Sequence, residues 1–215
     1  LQTAMEAAAP DLIARSSEED YRRYLRLLEV TRQASEVRYQ NDQRNFSRGF
    51  TLRDRGMADN TIWWSDYYDG AKTFVWAHNA HVANDGNFLD LGSTQGFHLR
   101  RELGEDYAIV GFLFTRGTFT AVGDMGLATQ EIDFDPPSNS MNDFFHAAGA
   151  PVFAVAIDEL EQSRVWDDAF FGQLTHKDIG ASYNETPGNY YRPFRRGFYD
   201  WIIYFEDTTH SRLLQ

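Results

Sequence analysis

Apolar and polar positions follow a helical rhythm up to about residue 69 and a different one afterwards. Pro10 closes a short alanine-rich segment. Ser16 with Glu19 reads as a capping box, in which each side chain would satisfy an amide left open by a first helical turn. Tyr21, Tyr24, Leu25 and Leu28 then recur at helical spacing, broadened by Leu27, Val30, Ala34 and Val37, with arginines and glutamates on the other face. The polar stretch 41–48 either joins two helices or prolongs the first. A further helix is predicted from about Phe50 to Tyr68, stopping at Gly70.

Short continuous apolar runs take over beyond Gly70. The run 73–77 (TFVWA) is rich in strand formers, and similar runs occupy 107–115, 151–157 and 201–205. Unbroken apolar runs of this length are expected where a strand is covered on both faces. Helices are predicted between them at about 94–103, 141–148 and 164–171. Strands alternating with helices imply an α/β fold with a mostly parallel sheet and flanking helices, preceded by a helical subdomain. The predicted division is 1–69 for the helical subdomain and 70–215 for the α/β portion. After Arg116-Gly117 the segment 118–122 is expected to pair back as a hairpin. The aperiodic stretch 123–140 reads as a long surface loop.

Composition narrows the function classes. The 215 residues are 42% hydrophobic and 15% aromatic, enough to build a packed core rather than a disordered chain. A net charge of -12 repels phosphate backbones and anionic lipid, so neither nucleic acid nor membrane is expected as a partner. The absence of cysteine excludes disulfides, thiolate metal sites and cysteine nucleophiles, and is compatible with the cytoplasm, the compartment expected. The chain opens on Leu1 rather than methionine, so a segment upstream is expected. Nothing in the pattern sets an oligomeric state.

Two strings carry the candidate chemistry. In VWAHNAHVAND (75–85), His78 follows directly on a predicted strand, where side chains of open α/β sheets emerge into a ligand crevice. His81 comes three residues later, so a helical turn there would put both imidazoles on one side. Such a pair could take a proton from water and stabilise an oxyanion. The bland alternative is one core histidine and one solvated one. Asn79, between them, is a candidate substrate-binding residue. In RDRGMADN (53–60), Arg53, Gly56 or Met57, and Asn60 share a helical stripe, offering a guanidinium and a carboxamide to a developing oxyanion. An ordinary surface arginine–aspartate pair is the competing reading. Gly56 implies that something approaches closely.

These strings resemble the erythromycin esterase (macrolide esterase) family, and THKDIGASYN (175–184) and DWIIYFEDTT (200–209) resemble its downstream segments. The resemblance runs from about Phe50 to the end and marks the chain as the family's carboxy-terminal portion. It implies an α/β core with a helical subdomain over the cleft. It also implies hydrolysis of a macrolactone or related small-molecule ester by histidine-activated water, without a serine nucleophile or an obligatory metal. His78, His81 and Arg53 match the catalytic positions, with Asn60 as a neighbour able to bind substrate. The family also carries a histidine and glutamates in an amino-terminal half that this chain lacks.

Other signals point less sharply. No G-x-S-x-G elbow and no dinucleotide or phosphate-loop glycine pattern occurs, so no nucleotide cofactor is expected. A metal could use His78, His81 and a carboxylate such as Asp85, but no third ligand is evident, and no metal is expected. Glu131, Asp133 and Asp135 read as a solvated edge. Arg192, Arg195 and Arg196 read as structural, and His98, His146, His176 and His210 receive no role. A non-catalytic binding or assembly fragment and a metal-dependent hydrolase are the rival readings.

Overall fold

The structure is a computed structural model that describes residues 1–162, 172–184, 186 and 190–211. They form two compact units, Leu1–Val75 with Gly86–His98, and Trp76–Asp85 with Leu99–Gln215. The predicted helix at 164–171 lies outside the described residues.

The helical unit begins with α1 (Gln2–Ala7) and α2 (Ala9–Arg15), then the long α3 (Glu18–Asp42) and α4 (Phe46–Tyr67). The cap of α3 lies one residue beyond the expected box. Ser17 accepts from the Asp20 amide at 3.0 Å and donates to its carboxylate, while Ser16 turns back to the Leu12 carbonyl. The stretch 41–48 joins two helices, with Asn45 capping α4. The α3–α4 seam is polar rather than an apolar stripe. Tyr24 and Leu27 stand 56% and 57% exposed, and Asn60 of α4 instead bonds Arg26 and Gln33 of α3. Gly49 and Gly56, two helical turns apart, face this seam. A Cβ on Gly56 would stand 3.2 Å from the Gln33 carboxamide, so the close neighbour at Gly56 is another helix.

In the sheet unit, α5 (Asn79–Val82) is followed by β1 (Val110–Gly123), β2 (Gly126–Ile132), α7 (Met141–His146), β3 (Val152–Ala156), α8 (Ile157–Glu161) and β6 (Trp201–Thr208). A second small sheet pairs β4 (Thr175–Lys177) with β5 (Tyr191–Pro193). Helix α6 (Gln95–Leu103) spans the division between the units. Strand order in the larger sheet is β2-β1-β6-β3. Among the described residues, β1–β6 is this sheet's one parallel pair, and both flanking pairs are antiparallel. The expectation of a mostly parallel sheet is therefore corrected.

Two local misreadings account for the difference. Gly117 does not break the strand: β1 runs through it at φ 115°, pairing there with Thr208 of β6 and Ile132 of β2. An added Cβ would collide with the Thr208 backbone, so glycine is required for contact rather than for a turn. The returning strand is β2, inside the stretch expected to be a loop, and the real turn is at Asp124-Met125. The run 73–77 forms no strand among the described residues, and Phe74 and Trp76 are 82% and 76% exposed. An apolar run becomes a buried strand only where neighbours supply a ladder.

The core lies on the parallel pair. Leu113, Ile109, Ile202 and Tyr204 are at most 2% exposed and pack with Met141, Phe145, Phe198 and Tyr199. Burial of each aliphatic side chain contributes roughly 1.5–3 kcal/mol. Asp200 fixes the start of β6, accepting both Arg100 contacts (2.8 and 2.6 Å) and the Ile109 amide (2.6 Å).

Candidate functional site

His78 is the N-cap of α5, with extended backbone (φ -60°, ψ 147°). Its Nδ1 accepts the Ala80 amide at 3.1 Å. A nitrogen that accepts carries no proton, so the neutral ring holds its proton on Nε2. That nitrogen donates to the Ile179 carbonyl at 2.5 Å and stands 3.5 Å from Asp178 Oδ1. Both ring nitrogens are therefore engaged. His81 lies in the last turn of α5, half-buried, between the buried Ala80 and Val82.

Asn79 is held by the flank of β1. Its Nδ2 donates to the Phe112 carbonyl at 2.6 Å, and its Oδ1 accepts the Phe112 amide at 3.0 Å. One N–H and the carbonyl oxygen are both directed to one backbone residue, as in a rung of a sheet. Two residues along the same strand, Asn142 of α7 donates to the Phe114 carbonyl at 2.8 Å and accepts the Lys177 amide at 2.9 Å. Asn142 thereby ties β4, and with it Asp178, to the strand that carries Asn79.

Behind His78 lies a buried polar group that sequence reasoning missed. His176 and Asp178, two apart along an extended segment, share a face. His176 is 4% exposed, with the rings of Phe194 and Tyr199 at 5.6 and 6.1 Å. Burial holds its pKa below the ordinary histidine value, opposed by Asp178, a backbone bond to Arg192, and Asp85. The Tyr199 hydroxyl is pushed well above its usual range by burial, then by Asp178 and Asp85. The detectable signal was three consecutive ionisable residues, His176-Lys177-Asp178, between Leu174 and Ile179, which if buried must find partners.

Arg53 and Asn60 belong to the helical unit. Arg53 is exposed, bonded through Nε to Asp54 at 3.2 Å and 5.2 Å from the Phe50 ring centroid. Asp54, fully buried, also accepts the Gln95 amide at the start of α6 at 3.0 Å. The RD pair thus has a structural member, and Asn60 has its carboxamide occupied by α3.

Among the described residues, no group of three or more histidine, aspartate or glutamate side chains is placed to hold a metal ion. Glu131, Asp133 and Asp135 are solvent-exposed on and just beyond β2. Among the described residues, no helix is long and apolar enough to cross a membrane.

No curated protein sequence matches the chain. Three solved structures share its fold. A Bacillus cereus protein superposes with a TM-score of 0.77 at 19% identity, over 100% of this chain and 51% of its own. A succinoglycan biosynthesis protein gives 0.64 at 19% identity over 95% and 57%. A mutant of the erythromycin esterase EreC in its open conformation gives 0.64 at 15% identity over 95% and 50%. The chain thus spans about half the length of each. The family described as erythromycin esterase matches residues 1–208, and the chain belongs to that family.

Proposed function

We propose that the protein is a carboxylic-ester hydrolase of the erythromycin esterase type, which opens a macrolactone or related ester by attack of water. Family membership supports the reaction class. The observation that carries the site is His78 at the start of α5 with its Nε2 turned to Asp178 and Ile179. Water becomes a nucleophile when a base takes its proton, and the carbonyl oxygen then needs a hydrogen-bond donor. His78 carries its one ring proton on Nε2, held by the Ile179 carbonyl, so it serves as donor to the oxyanion by exchanging that carbonyl for the substrate oxygen. Proton removal falls to His81 or to a base outside this chain. Arg53, exposed and cationic, keeps its catalytic candidacy from the family resemblance, whereas Asn60 and Asn79 have their carboxamides engaged and receive no substrate role. The substrate is a small molecule, with an aromatic-rich, acidic protein suited to a bulky apolar ester bearing a cation, and the compartment is the cytoplasm.

The test is hydrolysis of macrolide and simple esters by the full-length protein beside His78→Ala and His81→Ala. Acid–base or oxyanion groups contribute about 10²–10⁴-fold, so losses of that order are expected. Unchanged turnover in both variants removes the histidines from the mechanism. A second reading, a binding or assembly module, is favoured by the coverage of about half of each structural neighbour. Ester binding without turnover by the full-length protein would select it.

A further inference from the structure

We infer that Asn79 is a positioning residue: its carboxamide takes the place of a strand neighbour beside β1, and by fixing the first turn of α5 it locks His78 in the Nε2-protonated form. The significance for chemistry rests on the reading above that the His78 segment is the reacting site; the lock itself does not.

The geometry is closed at each step. Phe112 has its amide and its carbonyl directed to Asn79, at 3.0 and 2.6 Å. An isolated helix of four residues has almost no stability of its own, because nucleation costs more than one or two hydrogen bonds return. Its position must come from anchors: the Asn79 clip on its first turn, the Tyr107 hydroxyl donating to the Val82 carbonyl at 3.0 Å on its last, and the buried Ala80 and Val82. The helix in turn fixes His78, because the Ala80 amide reaches Nδ1 only when the first turn is formed. With Nδ1 accepting, the proton has one remaining place, Nε2, where the Ile179 carbonyl receives it beside Asp178. Asp178 is placed from the other side by Asn142, which grips Phe114 and Lys177. Two asparagines on one strand flank thereby set the two halves of the His78–Asp178 pair, one half each.

The experiment is nitrogen-15 NMR of the histidine rings in this chain, wild type beside Asn79→Ala and Asn79→Asp. The wild type is expected to show His78 as a single form protonated on Nε2. Asn79→Ala removes the clip, and Asn79→Asp sets a carboxylate against the Phe112 carbonyl. Both are expected to give a mixture of the two protonation forms at His78 and faster amide exchange at Phe112, with Ile202 and Tyr204 amides unchanged. A wild-type ring protonated on Nδ1, or averaging between forms, overturns the inference without any variant. So does an unaltered His78 signal in folded Asn79→Ala. In the full-length protein, Asn79→Ala is expected to lower kcat on the order of 10²-fold, the cost of misplacing a reacting group by about 1 Å, with KM nearly unchanged. A raised KM at constant kcat would return Asn79 to substrate binding and defeat the inference. A wild type that hydrolyses no ester while His78 stays locked defeats the proposed function alone.

Discussion

Lys177 allows the assembly of the sheet unit to be tested quantitatively. Its ammonium is buried, with the residue 4% exposed. It donates to the Thr115 carbonyl and lies 4.7 Å from the Phe114 ring centroid, with Phe134 and Tyr191 at 5.8 and 5.9 Å. Burial lowers its pKa from 10.5 to about 8, with Glu206 opposing. Between those values the native chain binds fewer protons than the unfolded one, so this group makes stability rise with pH. Its full penalty applies below about pH 8 and fades as the unfolded lysine also deprotonates. Linkage over that interval gives roughly 2 kcal/mol of added stability between about pH 7 and 9.5. The range stops short of the buried tyrosines, such as Tyr107, pushed up to about 12 by burial, which act in the opposite sense. Lys177→Met keeps the aliphatic stem and removes the titrating group. Urea unfolding of both proteins across this range at constant ionic strength gives the difference curve. Wild type should gain on the variant by about 2 kcal/mol as pH rises. At neutral pH the variant should lose little or gain. Replacing a buried charge by an apolar side chain is often neutral or stabilising by about 1–4 kcal/mol, against about 1.5–3 kcal/mol for the bond to Thr115. A flat difference curve would mean that Lys177 is hydrated in solution and that the burial argument is wrong.

Three further outcomes follow from single contacts. Asp54→Ala leaves the Gln95 amide and Arg53 without this acceptor inside the helical unit, and urea unfolding should show a loss of about 1–3 kcal/mol. Gly117→Ala forces a side chain against Thr208 at a φ that L residues rarely adopt; a loss of at least about 1–3 kcal/mol is expected, and an unchanged melting temperature would show that β1 is not continuous there. His176 is buried with its pKa lowered, so its contribution is present above the ordinary histidine range and is lost as pH falls. His176→Gln should flatten that acid-side slope in thermal melts, and an equal slope in both proteins would place the loss elsewhere.

Where local pattern and local structure obey the same rule, the sequence was a sound guide. Helix α6 and strands β3 and β6 were legible because spacing at 3.6 residues, or a bounded apolar run, decides them within a few residues. The Ser17 cap lies one residue from its expected place because adjacent serines offer the same chemistry and only the backbone angles choose between them. The β1–β2 hairpin was misread because Gly117 signals a turn in sequence, whereas here it answers a backbone contact made by a residue 91 positions later. Of the candidate site, one half was legible. His78 and His81 stand out by type and spacing, but Asp178 lies 100 positions from His78, and Asn79 reads as a polar residue free for a ligand.

The chain's own order of residues determined that it would have a helical first part, an apolar core on short strands, no thiol chemistry, and a histidine-bearing turn of the erythromycin esterase kind. Tertiary structure alone decided strand direction and order among the described residues. It also decided that His78 gives its proton to a carbonyl instead of offering a lone pair. The physical reason is the same in each case. A side chain's identity limits what it can bond, but which donors and acceptors remain unspent depends on backbone groups brought from distant parts of the chain.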